Sequence, residues 1–414
     1  MVKSDAINAE RETVRIERPA TGGGVGRLGD GRVVFVRHSL PGELVIATVT
    51  EETAKFARAD ALEILEPSAQ RVSAPCPYAH PGGCGGCDLQ HASVDAQLSW
   101  KSALVGEHLS RIAGLQRIVE VESAPSGARA SRTRLRCAVN EEGRLALRGA
   151  RSHELVALDS CWIADDAFGA AFASSWDGAE EVELRAIGEG EPFAVVRRDT
   201  HRGTMFELCS LRGEPLEPST QSRVKVDGHV FSVSPRSFWQ SHRSAPALLV
   251  EAVKNYADVN DGDHVVDLFS GVGLFSVPLA KAVGPRGHVT AVESSAHAVR
   301  DARQNAEGLG QVKVREWMVG ARAINDAVGP GDVVILDPPR NGLAKGVVEA
   351  LIRRAPRRVV YVSCDAATFA RDLKGLLAGG FDLVALRAFD LFPMTEHVEL
   401  VALLDNGVQR VQSS

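Results

Sequence analysis

From about residue 236 onward the chain falls into an alternation that few folds can accommodate. Five apolar runs, HVVDLF, HVTAVE, VKVRE, VVILD and RVVYVSC, are separated by helix-like segments, and two more, FDLVALRAF and HVELVALLD, follow with no helix between them. Strands that alternate with helices predict βα units, whose crossovers keep the strands parallel and cover both faces of the sheet. The terminal pair predicts an antiparallel end. The expected fold is a doubly wound, mostly parallel α/β sheet, which binds ligands outside the carboxyl ends of its strands. Asp267, Glu293, Asp337 and Cys364 all fall at such ends.

The first half of the chain has a different texture. Residues from about 11 to 66 carry short alternating runs (TVRIERPA, GRVVFVRH, ELVIATVTEE, FARADALEILE) punctuated by TGGGVG, GDG and LPGE, which predicts a small β-barrel with glycine hairpin turns. A cysteine-rich segment follows. Next comes a stretch with Leu98, Leu104, Val105, Leu109 and Ile112 at helical spacing. From about 120 to 235 the pattern is again strand-like, interrupted by an acidic stretch near Asp177 to Glu191. Three domains are expected, at 1–68, 69–235 and 236–414, with the helix near 95–115 packing on the last.

The charged N-terminus and the lack of any apolar run of about 18 residues exclude an export signal and a membrane span. Seven cysteines, four of them spaced for metal rather than disulfides, place the chain in a reducing cytoplasm. A net charge of -6 argues against indiscriminate nucleic-acid binding. A local basic face remains open, because a strand through GARASRTRLRC would put Arg132, Arg134 and Arg136 on one side and Leu135 and Cys137 on the other. The alternative is a solvated face balanced by Glu141 and Glu142.

Cys364 closes an internal strand and precedes the helix-like AATFARDLKGLL. A helix N-terminus favours thiolate, so this cysteine reads as a nucleophile, against the alternative of a small buried hydrophobe. DLFSGVGLF places Gly271 and Gly273 at a strand-to-helix turn, where backbone approaches a ligand closely. The third glycine of a dinucleotide fingerprint would fall at Ser276, and the acidic Glu293 ends the next strand, where it can accept bonds from ribose hydroxyls. This combination suits S-adenosylmethionine better than NAD. ILDPPRNGL is similar to the [DN]PP motif of amine methylases but has Arg340 where they have an aromatic and where RNA cytosine-C5 methylases have cysteine. A methyl transfer to neither an exocyclic amine nor cytosine C5 is therefore expected.

CPYAHPGGCGGC carries Cys76, Cys84 and Cys87, with Cys161 far downstream. Four thiolates suit a cubane iron-sulfur cluster or structural zinc, and three near ligands plus one distant are the more cluster-like pattern.

GRVVFVRHSLPGE, CGGC followed by Gln90 and His91, SFWQ, DLFSGVGLF, LDPPR, VSCD and HVELVALL occur together and in order, and with them the chain resembles the bacterial RNA uracil-C5 methyltransferases that carry a TRAM domain and a 4Fe-4S cluster. The resemblance implies a class I methyltransferase with a seven-stranded sheet, an N-terminal TRAM barrel and a β-rich iron-sulfur central domain. It implies Cys364 as nucleophile and Glu399 as general base. Gln240, Asp267, Phe269, Gly271, Gly273, Glu293 and Asp337 would line the cofactor and uracil pocket, and Cys76, Cys84, Cys87 and Cys161 would hold the cluster, zinc being the alternative. Arg132, Arg134, Arg136 and Arg340 are the candidate RNA contacts. Three departures stand out: a first cysteine spacing longer than the usual five, His242 in place of asparagine, and Leu274 after GVG. The implied reaction makes 5-methyluridine in a single-chain enzyme, on 23S ribosomal RNA, with a tRNA T-loop uridine as alternative. The rivals from other classes are a non-catalytic iron-sulfur RNA-binding protein and an iron-sulfur oxidoreductase.

Overall fold

Small and branched apolar residues alternate through six strands, β1 (Arg11–Arg15), β2 (Arg18–Ala20), β3 (Gly23–Arg27), β4 (Val33–Arg37), β5 (Leu44–Glu52) and β6 (Phe56–Glu66). Their order is β1-β5-β6-β4-β3-β2, so the two edge strands are consecutive in the chain. The run TVRIERPA bends at Ile16 and serves both edges, which closes the sheet on itself as a barrel. Val14, Ile16, Val34, Val36, Val45 and three alanines of β6 fill the interior. The glycines of TGGGVG do more than turn the chain. A β-carbon on Gly24 or Gly26 would lie 2.4 Å from a methyl of Ile16 or Val14, so these glycines sit within β3 and admit the barrel core. The computed structural model describes residues 11–201, 203–217 and 221–407; the charged N-terminal stretch and the chain end past Gly407 lie outside the described residues.

Helix α1 (Val94–His108) runs on into a single π turn, Leu109–Ala113. It is buried on two sides. Trp100 and Leu104 pack with Leu40 and Leu89 toward the barrel, and Val105 and Leu109 join the core of the C-terminal sheet. This double burial explains why Gln97 and Lys101 are themselves buried.

A short strand, β7 (Val121–Ser123), is followed by a separate sheet built from β8 (Arg134–Val139), β9 (Leu145–Arg148), β10 (Leu155–Ala157), β11 (Glu181–Arg185), β12 (Phe193–Thr200) and β13 (Gly203–Ser210). Its order is β10-β9-β8-β11-β12-β13. The acidic stretch expected to interrupt this region instead supplies an inner strand, because Val182 and Leu184 alternate with Glu181 and Glu183 and reach the core. A one-turn helix, α2 (Gly169–Phe172), covers the apolar face. A hairpin of β14 (Ser222–Val226) and β15 (His229–Val233) then leads into the C-terminal unit.

That unit is α3 (Ala245–Ala257), β16 (His264–Leu268), α4 (Ser276–Ala282), β17 (His288–Glu293), α5 (Ala296–Asn305), β18 (Val312–Glu316), α6 (Ala321–Ala327), β19 (Val333–Leu336), α7 (Val347–Arg354), β20 (Arg358–Ser363), α8 (Ala366–Ala378), β21 (Phe381–Asp390) and β22 (Glu399–Asn406). Strands β16 to β20 are parallel; β22 inserts antiparallel between β20 and β21. Separate apolar layers cover the two faces of the sheet. The expected seven strands are present, but the sheet has eight. β7 pairs in parallel with β21 and covers what would be a bare edge, with Arg387 held by Glu122 at 2.8 Å.

Candidate active site

The reversed direction of β22 builds the site. A parallel strand would carry its first residue to the far edge, whereas an antiparallel one starts at the carboxyl edge, where ligands bind. In the β20–β22 pairing Ser363 lies opposite Leu400. Cys364 and Glu399 are the next residues beyond that pair, and the Glu399 carboxyl acts electrostatically on the Cys364 thiol. Glu399 is 4% exposed on an interior strand, so it is no solvated carboxylate at a sheet edge.

Charges around Cys364 run against the expectation of a lowered thiol. Burial, then the carboxyls of Glu399 and Asp337, push it up to about 12, with Arg340 pulling the other way. Asp365 caps α8 by accepting from Thr368 N at 2.8 Å, so the helix start beside the cysteine is already occupied by a carboxylate. Glu399 is raised well above the usual range by burial and by Asp337, and Arg340 opposes this too. Arg340, exposed after Pro339, thus faces both groups of the pair.

The glycine loop lies at the ends of β16 and β17. Phe269 and Gly271 take left-handed φ values of 65° and 54°, and Gly273 one of 90°. Gly271 has open space where a side chain would be. Its N–H donates to Glu293 Oε2 at 3.0 Å, while Ser294 and Ser295 N–H groups hold Oε1 at 2.7 Å. Asp267 is fully buried and accepts from the Ser276 hydroxyl at 2.5 Å, leaving Oδ1 without a partner. Burial raises it to about 7, and Asp337 rises to about 7 through burial and the charge of Asp267. A buried acceptor unpaired among the described residues and two acids raised toward neutrality suit a cationic or hydrogen-bond-donating ligand. Gln240 lies partly buried between β15 and α3, and no hydrogen bond among the described residues holds its amide.

Two contributors escaped the sequence reading. Ser276 was visible only as a missing glycine. Asp372, within α8, accepts from Tyr361 OH and Leu343 N at 2.8 Å and so supports the loop after LDPPR; an acidic residue on the inner face of a helix was its signal.

The four cysteines Cys76, Cys84, Cys87 and Cys161 line one largely apolar cavity together with Gln90, Arg132 and Leu147. Gly86 N–H donates to Cys84 Sγ at 3.3 Å and Cys76 N–H to Gln90 Oε1 at 3.1 Å. Among the described residues no group of three or more His, Cys, Asp or Glu is arranged to hold a single metal ion.

The arginine face differs from expectation. The strand begins only at Arg134, and Arg132 turns to the cysteine cavity. Arg134 and Arg136 are on one side as expected, yet both bind Glu183, at 2.7 and 3.0 Å, rather than Glu141 and Glu142. Three arginines, with Arg185, hold Glu183 down at about 2 against its burial.

With this geometry in place, the comparisons with known proteins decide the family. The TRAM domain model matches residues 8–62, and the family model described as tRNA (Uracil-5-)-methyltransferase matches residues 220–407. A 23S rRNA (uracil(1939)-C(5))-methyltransferase RlmD of Acinetobacter baumannii is 32% identical over 416 residues, 91% of this chain and 89% of its own. The chain belongs to the RNA uracil-C5 methyltransferases. An uncharacterized RNA methyltransferase of Streptomyces avermitilis is 39% identical over 96% of this chain and 98% of its own length. A crystal structure of Pyrococcus abyssi tRNA (uracil-54, C5)-methyltransferase with S-adenosyl-L-homocysteine matches with a TM-score of 0.69 and 27% identity, over 94% of this chain and 100% of that one. As an RNA uracil-C5 methyltransferase the chain takes its methyl group from S-adenosylmethionine and acts on RNA. No helix among the described residues is long and apolar enough to cross a membrane.

Proposed function

We propose that this enzyme forms 5-methyluridine in large-subunit ribosomal RNA, with Cys364 as nucleophile and Glu399 as base. The observation that carries the catalytic reading is the β20–β22 register, whose last pair, Ser363 with Leu400, leaves Cys364 and Glu399 together at the carboxyl edge of the sheet. Carbon 5 of uracil is too poor a nucleophile to take a methyl group unaided. Addition of the Cys364 thiolate to carbon 6 makes it enolate-like, and carbon 5 then takes the methyl from the sulfonium, releasing S-adenosylhomocysteine. Glu399 removes the carbon-5 proton, the double bond re-forms, and the carbon 6–sulfur bond breaks to return the thiolate. The glycine loop, Glu293 and Asp267 are the donor's side of the pocket, and Asp337 and Arg340 adjoin the reacting base.

Support for the ribosomal target is the RlmD relative, matched over about nine-tenths of both chains. A tRNA T-loop uridine is the second reading, favoured by the archaeal tRNA enzyme matched over its whole length. Nucleoside mass spectrometry of separated tRNA and ribosomal RNA, with and without the gene, tests both. Loss of 5-methyluridine from the ribosomal pool is expected; loss from tRNA alone transfers the assignment, and loss from neither overturns the reaction.

The cysteine cavity fits a 4Fe-4S cluster in its donor set. All four thiols reach one apolar chamber, and Arg132 beside them offsets thiolate charge. About four irons per chain in anaerobically purified protein, against one zinc, would establish it. Such a cluster supplies no redox step to this reaction and acts as a staple of the fold. For RNA contact the exposed rings of Phe238 and Phe206, overlain by Arg134 and Arg236 at 5.2 and 5.0 Å, support stacking of unpaired bases near the pocket. A cytoplasmic, single-chain enzyme accords with this reading.

A further inference from the structure

Residues 391–398 connect β21 to β22 and deliver Glu399. The hydrogen bonds that tie this loop to the rest of the chain come, among the described residues, from segments before the central sheet. Lys101 Nζ donates to Phe392 O at 2.9 Å and Gly22 N–H to Glu396 Oε2 at 2.6 Å. Met394 is held most firmly. Its carbonyl accepts from Asp88 N and Leu89 N at 2.8 and 2.9 Å, directly after Cys87, and its N–H donates to Gln97 Oε1 at 3.0 Å. The Gln97 amide, 2% exposed, is itself fixed by donating to Ala92 O at 2.9 Å and to Met394 Sδ at 3.3 Å.

Two observations give this clamp a meaning. Met394 has φ 64°, a left-handed conformation that is strained for a residue with a side chain and persists only where its surroundings impose it. And Glu399, although buried, has no hydrogen-bond partner for its carboxyl among the described residues. A base without a side-chain partner takes its aim from its main chain, and the clamp holds that main chain five residues upstream of it.

We propose that Gln97, with the Asp88 and Leu89 amides, is a positioning device that aims Glu399 at the carbon-5 proton by holding Met394. The inference rests on the mechanism above. It makes the segment that follows Cys87 a partner in proton removal, although no residue of that segment touches substrate.

The test separates methyl transfer from proton removal in the full-length protein, using RNA that carries tritium at carbon 5 of the target uridine. Gln97→Ala is expected to form the methylated, denaturant-resistant enzyme–RNA adduct within twofold of the wild-type rate, yet to release tritium at least tenfold more slowly, so that adduct accumulates. Gln97→Leu, close in volume but unable to hydrogen-bond, replaces it if the alanine variant does not fold. Met394→Gly, which keeps all three main-chain bonds and relieves the positive φ, is expected to release tritium within threefold of wild type. Adduct formation and tritium release falling together in the Gln97 variants, or neither changing, overturns the clamp. Wild-type protein that forms no adduct and releases no tritium overturns the uracil-methylation reading itself, which is a separate failure.

Discussion

The charges around Cys364 decide when it can act. Burial and then neighbouring carboxyls push its thiol up to about 12, so the thiol rests protonated; burial also raises the Glu399 carboxyl, and the methyl donor's positive charge is the natural counterweight. The thiol works deprotonated, so the single-turnover rate should climb from pH 6 to pH 9, up to about tenfold per unit, with no plateau at neutrality. A flat profile over that range would remove the raised thiol from the rate-limiting events. Cys364→Ala should lower methylation more than ~10³-fold while isothermal titration still detects the donor. Glu399→Gln should trap a covalent RNA adduct, visible as a band that survives denaturing electrophoresis. At this scale the sequence pointed to residues that the fold brings together at the carboxyl edge of the sheet. It misjudged their state, because a thiol's titration depends on carboxyls that arrive from strands distant in the chain.

Among elements, α1 shows where sequence reading stopped. Its apolar spacing announced a helix, but nothing in that spacing singled out Gln97 and Lys101, which the fold buries. Their partners lie 297 and 289 residues away, in and beside the loop before β22. Lys101 is fully buried against Asp390. Lys101→Met should cost about 3 kcal/mol in urea unfolding by stranding Asp390, and adding Asp390→Leu should recover much of that loss. The arginine strand failed for a similar reason. Glu183, which gathers Arg134, Arg136 and Arg185, lies on a strand inside what looked like an acidic interruption. The doubly wound sheet, by contrast, was legible almost residue by residue, since buried parallel strands are continuous apolar runs.

For the whole molecule, the two raised aspartates tie stability to pH. Asp267 and Asp337 titrate near 7 in the fold against an ordinary value near 3.8, so the folded state holds protons that the unfolded chain has already lost. Their contribution is complete below about pH 4 and is lost as pH rises through 7. The donor-free protein should therefore melt at a lower temperature at pH 8 than at pH 6. Asp267→Asn should remove much of that difference, raise the pH 8 melting temperature by about 5 °C, and weaken donor binding. Unchanged melting between the two pH values would show that the acids are solvated.

The eighth strand also sets an order of assembly. Glu122 and Arg387, joined across the β7–β21 edge, are 265 residues apart. During synthesis α1 and β7 leave the ribosome long before the sheet they complete, and β7 and the Val105–Leu109 side of α1 have nothing to bury against until β21 and β22 are made. The barrel and central sheet can close early, but the catalytic half closes only once β21 and β22 have been made, so a chain released before them displays one half-covered apolar helix and one unpaired strand to whatever binds nascent polypeptides.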